Sequence, residues 1–482
     1  MVSRAIREQP SEPLDEEAVV AAVAGHDFFA PGVPVLLARA PGRLDVMGGN
    51  VDYTGGMVLQ GLLRESVWAA CQRRGDGSVR LLNPGAASFG WKRDFELPLA
   101  SLEDPAAIAA LCSGAAAFWG RYVLGAVCFL LRHGSMAGNV QRGGLDLFLL
   151  SDLPPNKGVS SSAALVVASL RAMAAAWDIP LDGVALATAA QWVENVVAGA
   201  ACGIMDQAAI VLGREDHLLP ILCQPCLPSP PLKLPPGVCL WGLDSMTPRS
   251  TTGHAYERAR AAAFMGYRIL CANEGLDVVH EEGSAIPRWT DVRWNGYLSN
   301  LAVSEFRSRH ERTLPESMRG SDFLAGYREH VDPFTQIDPD AEYPVRAAVR
   351  YAVEENLRVQ RVHALLGSYR ESDAESTLRQ LGEIFLQSHH AYAECGLGAE
   401  ACDELVRRAL QAGLPGAKMT GGGAGGVVVL LGRPEDREKA LGIAELWSRE
   451  HGADASFFRG SSDGVDAFGT RILRMELAGA AC

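Results

Sequence analysis

The chain reads as a globular protein of mixed strands and helices, large enough for two domains or more. Three observations carry that reading. Its 482 residues are 48% hydrophobic and 21% charged, the balance of ordinary folded material. Short apolar runs bounded by glycine alternate with longer Ala-, Leu- and Met-rich stretches free of Gly and Pro, the respective marks of buried strands and helices. Finally, many of the 51 glycines cluster between those elements, which favours turns that bring backbone close to a ligand.

Several classes are disfavoured at the outset. A net charge of −13 argues against a global nucleic-acid or anionic-membrane role, while leaving room for a local phosphate site. The eleven cysteines are scattered and odd in number, as expected of reduced thiols in the cytosol. Cys223-Gln224-Pro225-Cys226 is an isolated pair, without the second pair or histidines that a zinc site needs. Residues 1–17 are charged and contain proline, with no apolar core of a leader. The longest apolar candidate, 106–131, is split by Arg121. These features predict a soluble, cytoplasmic protein.

In chain order, 15–24 predicts a short helix and 35–40 a strand, which runs into a turn-rich stretch over 41–56. Residues 58–70 and 79–82 predict strands, 119–131 a helix, and 145–150 a buried strand after Gly143-Gly144. Helices follow at 165–177 and 181–197. Residues 220–236 hold seven prolines and form the best linker candidate. A strand is expected at 238–243 and a helix at 255–271. The stretch 274–340 is charged and irregular, in the manner of an insertion. Helices are expected at 345–366 and 371–393, the second interrupted by Gly382, and a strand at 427–431. His389-His390 point about 100° apart on that second helix, a poor arrangement for a shared metal.

Three glycine-rich stretches fall at element boundaries. The central one, Pro154-Pro155-Asn156-Lys157-Gly158-Val159-Ser160-Ser161-Ser162-Ala163-Ala164, joins a strand to a helix N-terminus. Free N–H groups and the helix dipole there suit a phosphate. Serine hydroxyls add donors or a metal ligand, and Lys157 adds a point charge. A plain serine cap on a core helix would produce a similar string, and no Walker-type Gly-Lys-Ser/Thr is present. The first stretch, Pro41 to Gly56, sets Arg43, Asp45 and Asp52 among glycines. Arg43 suits an anion and Asp52 a hydroxyl, although solvated charges on a surface turn are the plainer alternative. Asp206 follows Gly203-Ile204-Met205 in apolar surroundings, where a carboxylate is costly unless it caps a helix or does chemistry. The third stretch, Gly421 to Gly426, precedes a strand and implies close backbone approach.

In this order the three stretches resemble the signature motifs of the GHMP small-molecule kinase superfamily, from about residue 39 to 426. Arg43, Gly48, Asp52-Tyr53 and Gly55-Gly56 resemble the galactokinase signature, Gly203-Ile204-Met205-Asp206-Gln207 its catalytic segment, and Tyr256 its sugar-contacting tyrosine. Residues 40–49, Lys157 to Ser162, Cys223-Gln224-Pro225 and Cys395-Gly396-Leu397-Gly398 are similar to plant L-arabinokinases. Those enzymes carry a further glycosyltransferase-like domain, so the chain resembles their kinase part.

The resemblance implies an α+β fold: an N-terminal mixed sheet with helices over 1–232, a ferredoxin-like C-terminal half over 233–482, and a site in the cleft between. It implies an ATP- and Mg²⁺-dependent sugar 1-kinase. Asp206 would be the catalytic base and Arg43 its cationic partner. Asp52, Gly49, Asn50, Gly203 and Tyr256 would line the sugar pocket. Lys157, Gly158, Ser160, Ser161, Ser162, Ala163, Gly422, Gly423 and Trp119 would hold the nucleotide, with Ser162 and Glu194 on the metal. Core packing is the other reading of Trp119. Sugar and ATP are the expected partners, with no nucleic acid or membrane, and a monomer is expected.

One departure bears on the substrate. Galactokinases have a Glu-His pair where this chain has Gly49-Asn50, near the hydroxyl on carbon 6. L-Arabinose lacks that hydroxymethyl group, so losing the acceptor matches losing the hydroxyl. Gly49 by itself makes space and does not exclude galactose. L-Arabinose is therefore the expected substrate. Galactose, a uronic acid and a silent sugar sensor are the alternatives.

Overall fold

The computed structural model describes residues 14–134, 142–247, 254–281 and 287–474. Most of the 1–17 reading, and positions 282–286 of the charged stretch, lie outside the described residues.

The backbone of the first sheet is a long antiparallel pair, Val35–Met47 against Met57–Arg73. The second of these strands forks. Its far half pairs with Leu145–Ser151 and its near half with His217–Leu222. Ser78–Leu82 lies parallel to Leu145–Ser151, and Asp94–Pro98 forms one edge. At the other edge Arg471–Leu473, from the end of the described chain, pairs with Val35 to Leu37. The second sheet has four antiparallel strands in the order Gly416–Met419, Val427–Gly432, Cys239–Asp244, Phe457–Phe458. The helices Ala374–Glu394 and Glu400–Gln411 pack on it. The molecule is thus a mixed α+β fold.

Two expectations are corrected. The strand expected to stop at residue 40 continues to Met47, so half of the first glycine-rich stretch is sheet. Register breaks between Pro41 and Arg43, and between Asp45 and Met47, absorb the proline and glycine, as β-bulges do. The proline-rich stretch is not a linker. His217–Leu222 is paired sheet, and Leu227–Pro228 and Leu232–Lys233 fold back onto it. Its prolines fit because short outer strands tolerate missing N–H donors.

Helix boundaries moved where function needs them. The helix expected from 165 begins at Ser161, which places the serines in its first turn. The helix expected over 181–197 ends at Trp192 and gives way to a π-helical turn, Val193–Ala198. Such one-residue insertions re-aim side chains, here Glu194. The helix Glu16–Ala24 starts on Asp15, which accepts from Ala18 N at 2.7 Å, a standard cap.

The described parts of the irregular stretch 274–340 are packed against the rest. Trp294, Leu298, Phe306 and Phe323 form a buried cluster with the helices His254–Asn273 and Val345–Gly367. His389 is buried and held by Asp403, at 3.1 Å, and by Met419 N, a structural role. Cys223 and Cys226 are free thiols. No helix among the described residues is long and apolar enough to cross a membrane.

Gly382 sits inside the helix Ala374–Glu394 because a Cβ there would lie 1.9 Å from the Pro415 carbonyl oxygen. Gly→Ala in an open helix gains up to about 1 kcal/mol. Gly382→Ala is expected to lower Tm instead, through a loss of roughly 1–3 kcal/mol from forced backbone movement. Gly442→Ala, in the helix Arg437–His451 with nothing within 4 Å of its added methyl, is expected to raise Tm. Thermal melts of the two variants check the opposite signs.

Candidate active site

The site is built where the three glycine-rich stretches meet. In the central loop Asn156, Gly158 and Ser160 have φ of 60°, 77° and 62°. Alternating left-handed residues turn successive N–H groups toward one side, a concavity for anions. The helix Ser161–Ala176 follows directly, so Ser161, Ser162 and Ala163 contribute first-turn N–H groups to the same place.

Arg43 stands on the bulged strand, under this loop. Its Nε and Nη2 donate to the two carboxylate oxygens of Asp206 at 2.8 and 2.9 Å. Nη1 donates to the Gly158 carbonyl at 2.7 Å, and its backbone N–H to Val159 O at 3.1 Å. The guanidinium is enclosed, while the Asp206 side chain is 23% exposed. The cation therefore backs the carboxylate from inside and leaves its front accessible. The Ser160 hydroxyl also donates to Asp206 Oδ2. The two residues that the sequence reading paired are 163 positions apart and in bidentate contact.

Asp52 lies beside this pair. The backbone at Tyr53 and Met205 faces its carboxylate and favours the charged form. A Cβ on Gly203 would fall 1.9 Å from Asp52 Oδ2, so only glycine permits this approach. Burial first, and then the negative Asp206, push the Asp52 carboxyl up to about 6, against the pull of Arg260. Tyr256 faces Tyr53 edge-on at 6.1 Å and lies beside Arg260. Burial raises its hydroxyl above the usual tyrosine range.

Glu194 projects from the π-helical turn and is 4% exposed. Gln207 Nε2 donates to its Oε1 at 2.7 Å, and the Ser162 side chain is near enough to favour its charged form. Burial pushes its carboxyl up to about 7 despite those donors, with Asp206 adding to the rise. A buried acid beside a serine hydroxyl at the mouth of an anion loop is a fitting donor set for Mg²⁺, which takes few protein oxygens and completes its shell with water and phosphate. No group of three or more His, Cys, Asp or Glu suited to a metal occurs among the described residues.

The third loop closes the site. Gly421, Gly423, Gly425 and Gly426 all have positive φ. Gly422 is buried in the same turn. Gly421 N donates to Asp45 Oδ2 at 3.0 Å, and the Thr420 hydroxyl to the Asp45 carbonyl. A Cβ on Gly423 would come 2.8 Å from Leu397 and Tyr392, and one on Gly426 2.9 Å from the Lys157 carbonyl oxygen.

Three expected residues behave differently. The Lys157 ammonium is engaged by Asp244 Oδ2 at 2.6 Å. Trp119 is enclosed: its Nε1 donates to Lys92 O at 2.8 Å and its ring packs edge-on to Phe95, as core packing requires. Gly49 leaves no empty space. A Cβ there would lie 2.0 Å from the Tyr392 hydroxyl, 2.4 Å from Gly421 O and 2.5 Å from Asp45 Oδ2. Its neighbour Asn50 has φ 61° and is 3% exposed, and neither amide atom has a protein hydrogen-bond partner.

Sequence reasoning missed Arg260, Gln207, Tyr351 and Tyr392. Tyr351 donates to Gly49 O at 2.6 Å and Tyr392 to Gly421 O at 2.5 Å. Arg260 carried one local signal, its position one turn after Tyr256.

Comparisons agree with this geometry. A profile described as "GHMP kinases N terminal domain" matches residues 121–214, and "Galactokinase galactose-binding signature" matches 27–73. An L-arabinokinase of Arabidopsis thaliana is 32% identical over 92% of this chain, which spans 47% of that relative's length. Two segments of the chain are thus similar to the GHMP kinase and galactokinase families. In fold it is similar to the Lactococcus lactis galactokinase solved with galactose, at TM-score 0.69 and 21% identity over 92% of this chain and 99% of that one. A mevalonate kinase follows at TM-score 0.52 and 12% identity, covering 89% and 99%. The galactokinase-type signature falls on the strand that carries Arg43 and on the turn after it that carries Asp52.

The Glu194 carboxyl gives a pH prediction. Unfolded, it titrates near 4.5; folded, near 7. Between these values the folded state holds a proton that the unfolded state has lost, so stability falls as pH rises through that window. Asp52, raised from 3.8 to about 6, acts in the same direction. Without divalent metal, Glu194→Gln is expected to melt higher than the parent at pH 8, by up to ~3 kcal/mol, and to match it near pH 4.5. Added Mg²⁺ should raise the parent's Tm more than the variant's. Melting curves across pH, with and without Mg²⁺, check both statements.

Proposed function

We propose that this chain is an ATP-dependent sugar 1-kinase that converts L-arabinose to β-L-arabinose 1-phosphate and ADP. The observation that carries the kinase reading is the Arg43–Asp206 pair set under an anion-binding loop. In the reaction the anomeric oxygen forms a bond to the γ-phosphorus, the bond to the ADP oxygen breaks, and the hydroxyl proton passes to Asp206. Such transfers depend on positioning and charge stabilisation. Arg43 holds Asp206 in one orientation and offsets charge near the transferring group. The loop N–H groups from Gly158 to Ala163 and the Gly422-Gly423 backbone surround the phosphates. Lys157 contributes positive charge from its place beside Asp244. Ser162 and Glu194 hold Mg²⁺, which supplies charge neutralisation to the phosphates when bound. Asp52 accepts from sugar hydroxyls, with Tyr256 and Gly203 shaping that wall. The expected boundary at 232/233 is departed from at the end of the chain, where Val465–Phe468 and Arg471–Leu473 return to the first sheet, so the cleft is flanked by that sheet's domain and by the domain built on the second sheet.

The choice of pentose rests on Gly49-Asn50. A pocket rejects an added group only if something fills the gap. Here the Tyr392 hydroxyl, the Gly421 carbonyl and the Asp45 carboxylate crowd the Gly49 Cα. The buried Asn50 amide, lacking protein partners, is a group whose burial costs about 1–3 kcal/mol until a ligand bonds it. Galactose is the competing substrate, favoured by the signature over 27–73.

Side-by-side assays should give a higher kcat/KM for L-arabinose than for D-galactose, and the reverse order would transfer the assignment to galactose. Asp206→Asn keeps an acceptor for Arg43 and removes the base. It is expected to lower kcat by roughly 10²–10⁴ and to lower Tm as well, because the buried Arg43 loses its counter-charge. Full turnover by that variant would remove Asp206 from the chemistry.

A further inference from the structure

The charged stretch 274–340 reaches the sugar side of the site at two places. Asp332 forms a fully buried bidentate ion pair with Arg260, both contacts 2.8 Å. Thr335 donates to Asp332 Oδ2 at 2.6 Å, and His330 Nε2 lies 3.0 Å from the Thr335 hydroxyl. Arg260 passes the constraint on. Its Nη1 donates to Ala201 O at 3.1 Å, in the turn leading to Gly203 and Asp206. Its guanidinium lies 4.8 Å over the Tyr53 ring and stands beside Tyr256. The second contact holds the 51–56 turn. Ser299 donates its N–H and hydroxyl to Thr54 O at 3.3 and 3.1 Å. Gln224 Nε2 bridges Gly55 O and Asn300 Oδ1 at 2.8 and 2.9 Å. The Tyr297 ring occupies the place a Gly55 side chain would need.

We propose that Asp332 is a positioning residue for sugar binding: through Arg260 it fixes Tyr53, Tyr256 and the 201–203 turn around Asp52. The stretch 274–340 is then a buttress of the sugar wall, with no part in holding the nucleotide. A guanidinium has two planar faces and several donors. Unpaired, Arg260 would be free to turn toward Asp52 or away from Tyr53. Asp332 removes that freedom by engaging Nε and Nη2 together, which leaves Nη1 for Ala201 and one face for Tyr53. The burial of both partners makes the pair costly unless its geometry is kept, so the wall is set before sugar arrives.

This inference rests on the sugar-kinase reading, and its test separates the two. Sugar KM, ATP KM and kcat are measured for the parent, Asp332→Asn and Thr335→Val, with circular dichroism confirming that each is folded. Asp332→Asn is expected to raise sugar KM by about tenfold, the equivalent of ~1.4 kcal/mol, with ATP KM little changed. Thr335→Val, which removes one bond to the same carboxylate, should shift sugar KM in the same direction by less. An unchanged sugar KM in folded Asp332→Asn, or equal rises in both KM values, would overturn the proposal. If Asp332→Asn does not fold, Thr335→Val decides alone, and an unchanged sugar KM there has the same force. A parent enzyme inactive on both sugars would instead sink the kinase reading.

Discussion

The rest of the site depends on one enclosed guanidinium. Arg43 is 1% exposed, and a buried cation costs several kcal/mol unless nearly every donor is met. Two donors meet the Asp206 carboxylate and a third meets the Gly158 carbonyl. Those partners belong to a helix start and a loop far apart in the chain, so satisfying one side chain fixes three elements together. Removal of either partner of such a pair typically costs about 3–5 kcal/mol. The interaction that orients the proposed base is therefore also one the fold cannot easily give up. The bulge lies between Pro41 and Arg43, so a local break in sheet register sits where the proposed site is built.

Around that pair the three loops interlock through backbone contacts that exclude side chains. Asp45 joins the first to the third by way of Thr420 and Gly421. A Cβ on Gly42 would lie 3.0 Å from the Val159 carbonyl, and one on Gly426 would meet Lys157. Glycine is needed at these positions because backbone of another segment stands where a methyl would go. The same crowding explains Gly49. From sequence, its missing side chain looked like room for a ligand. In the structure that room is taken by Tyr392, Gly421 and Asp45, so selectivity at this position follows from what fills the pocket.

This contrast shows what was legible in the sequence. Arg43, Asp52 and Asp206 stood out as ionisable groups among glycines or apolar residues, a placement that costs free energy unless used, whereas Glu194 was reached only through the family resemblance. The strands and long helices could be read from apolar periodicity. The proline-rich stretch misled because composition cannot tell a linker from short outer strands that need few N–H donors. Gly382 weakened a helix expectation because propensity is blind to the Pro415 carbonyl pressed against it. Arg260 and Asp332 were invisible for another reason. Each sits in a charged segment that looks solvated, and only tertiary pairing across 72 positions makes them a buried unit.

The charges of the site are unevenly balanced, and this bears on the order of events. Asp52, Glu194 and Asp206 are three carboxylates gathered at one cleft, while Arg43 is matched to Asp206 and Arg260 to Asp332. Asp52 and Glu194 are left without a matched cation, and both carboxyls are pushed well above their ordinary range by burial. A positive charge brought to the Ser162–Glu194 corner would relieve the second of these. A sugar hydroxyl donating to Asp52 would relieve the first, because hydrogen bonds to the charged form offset desolvation. Each proposed ligand thus repairs a different defect. Both defects couple to Asp206, whose negative charge raises each of the two carboxyls. The carboxylate common to both corners is the one that Arg43 already holds still, so each ligand meets its defect beside a charge whose position is fixed.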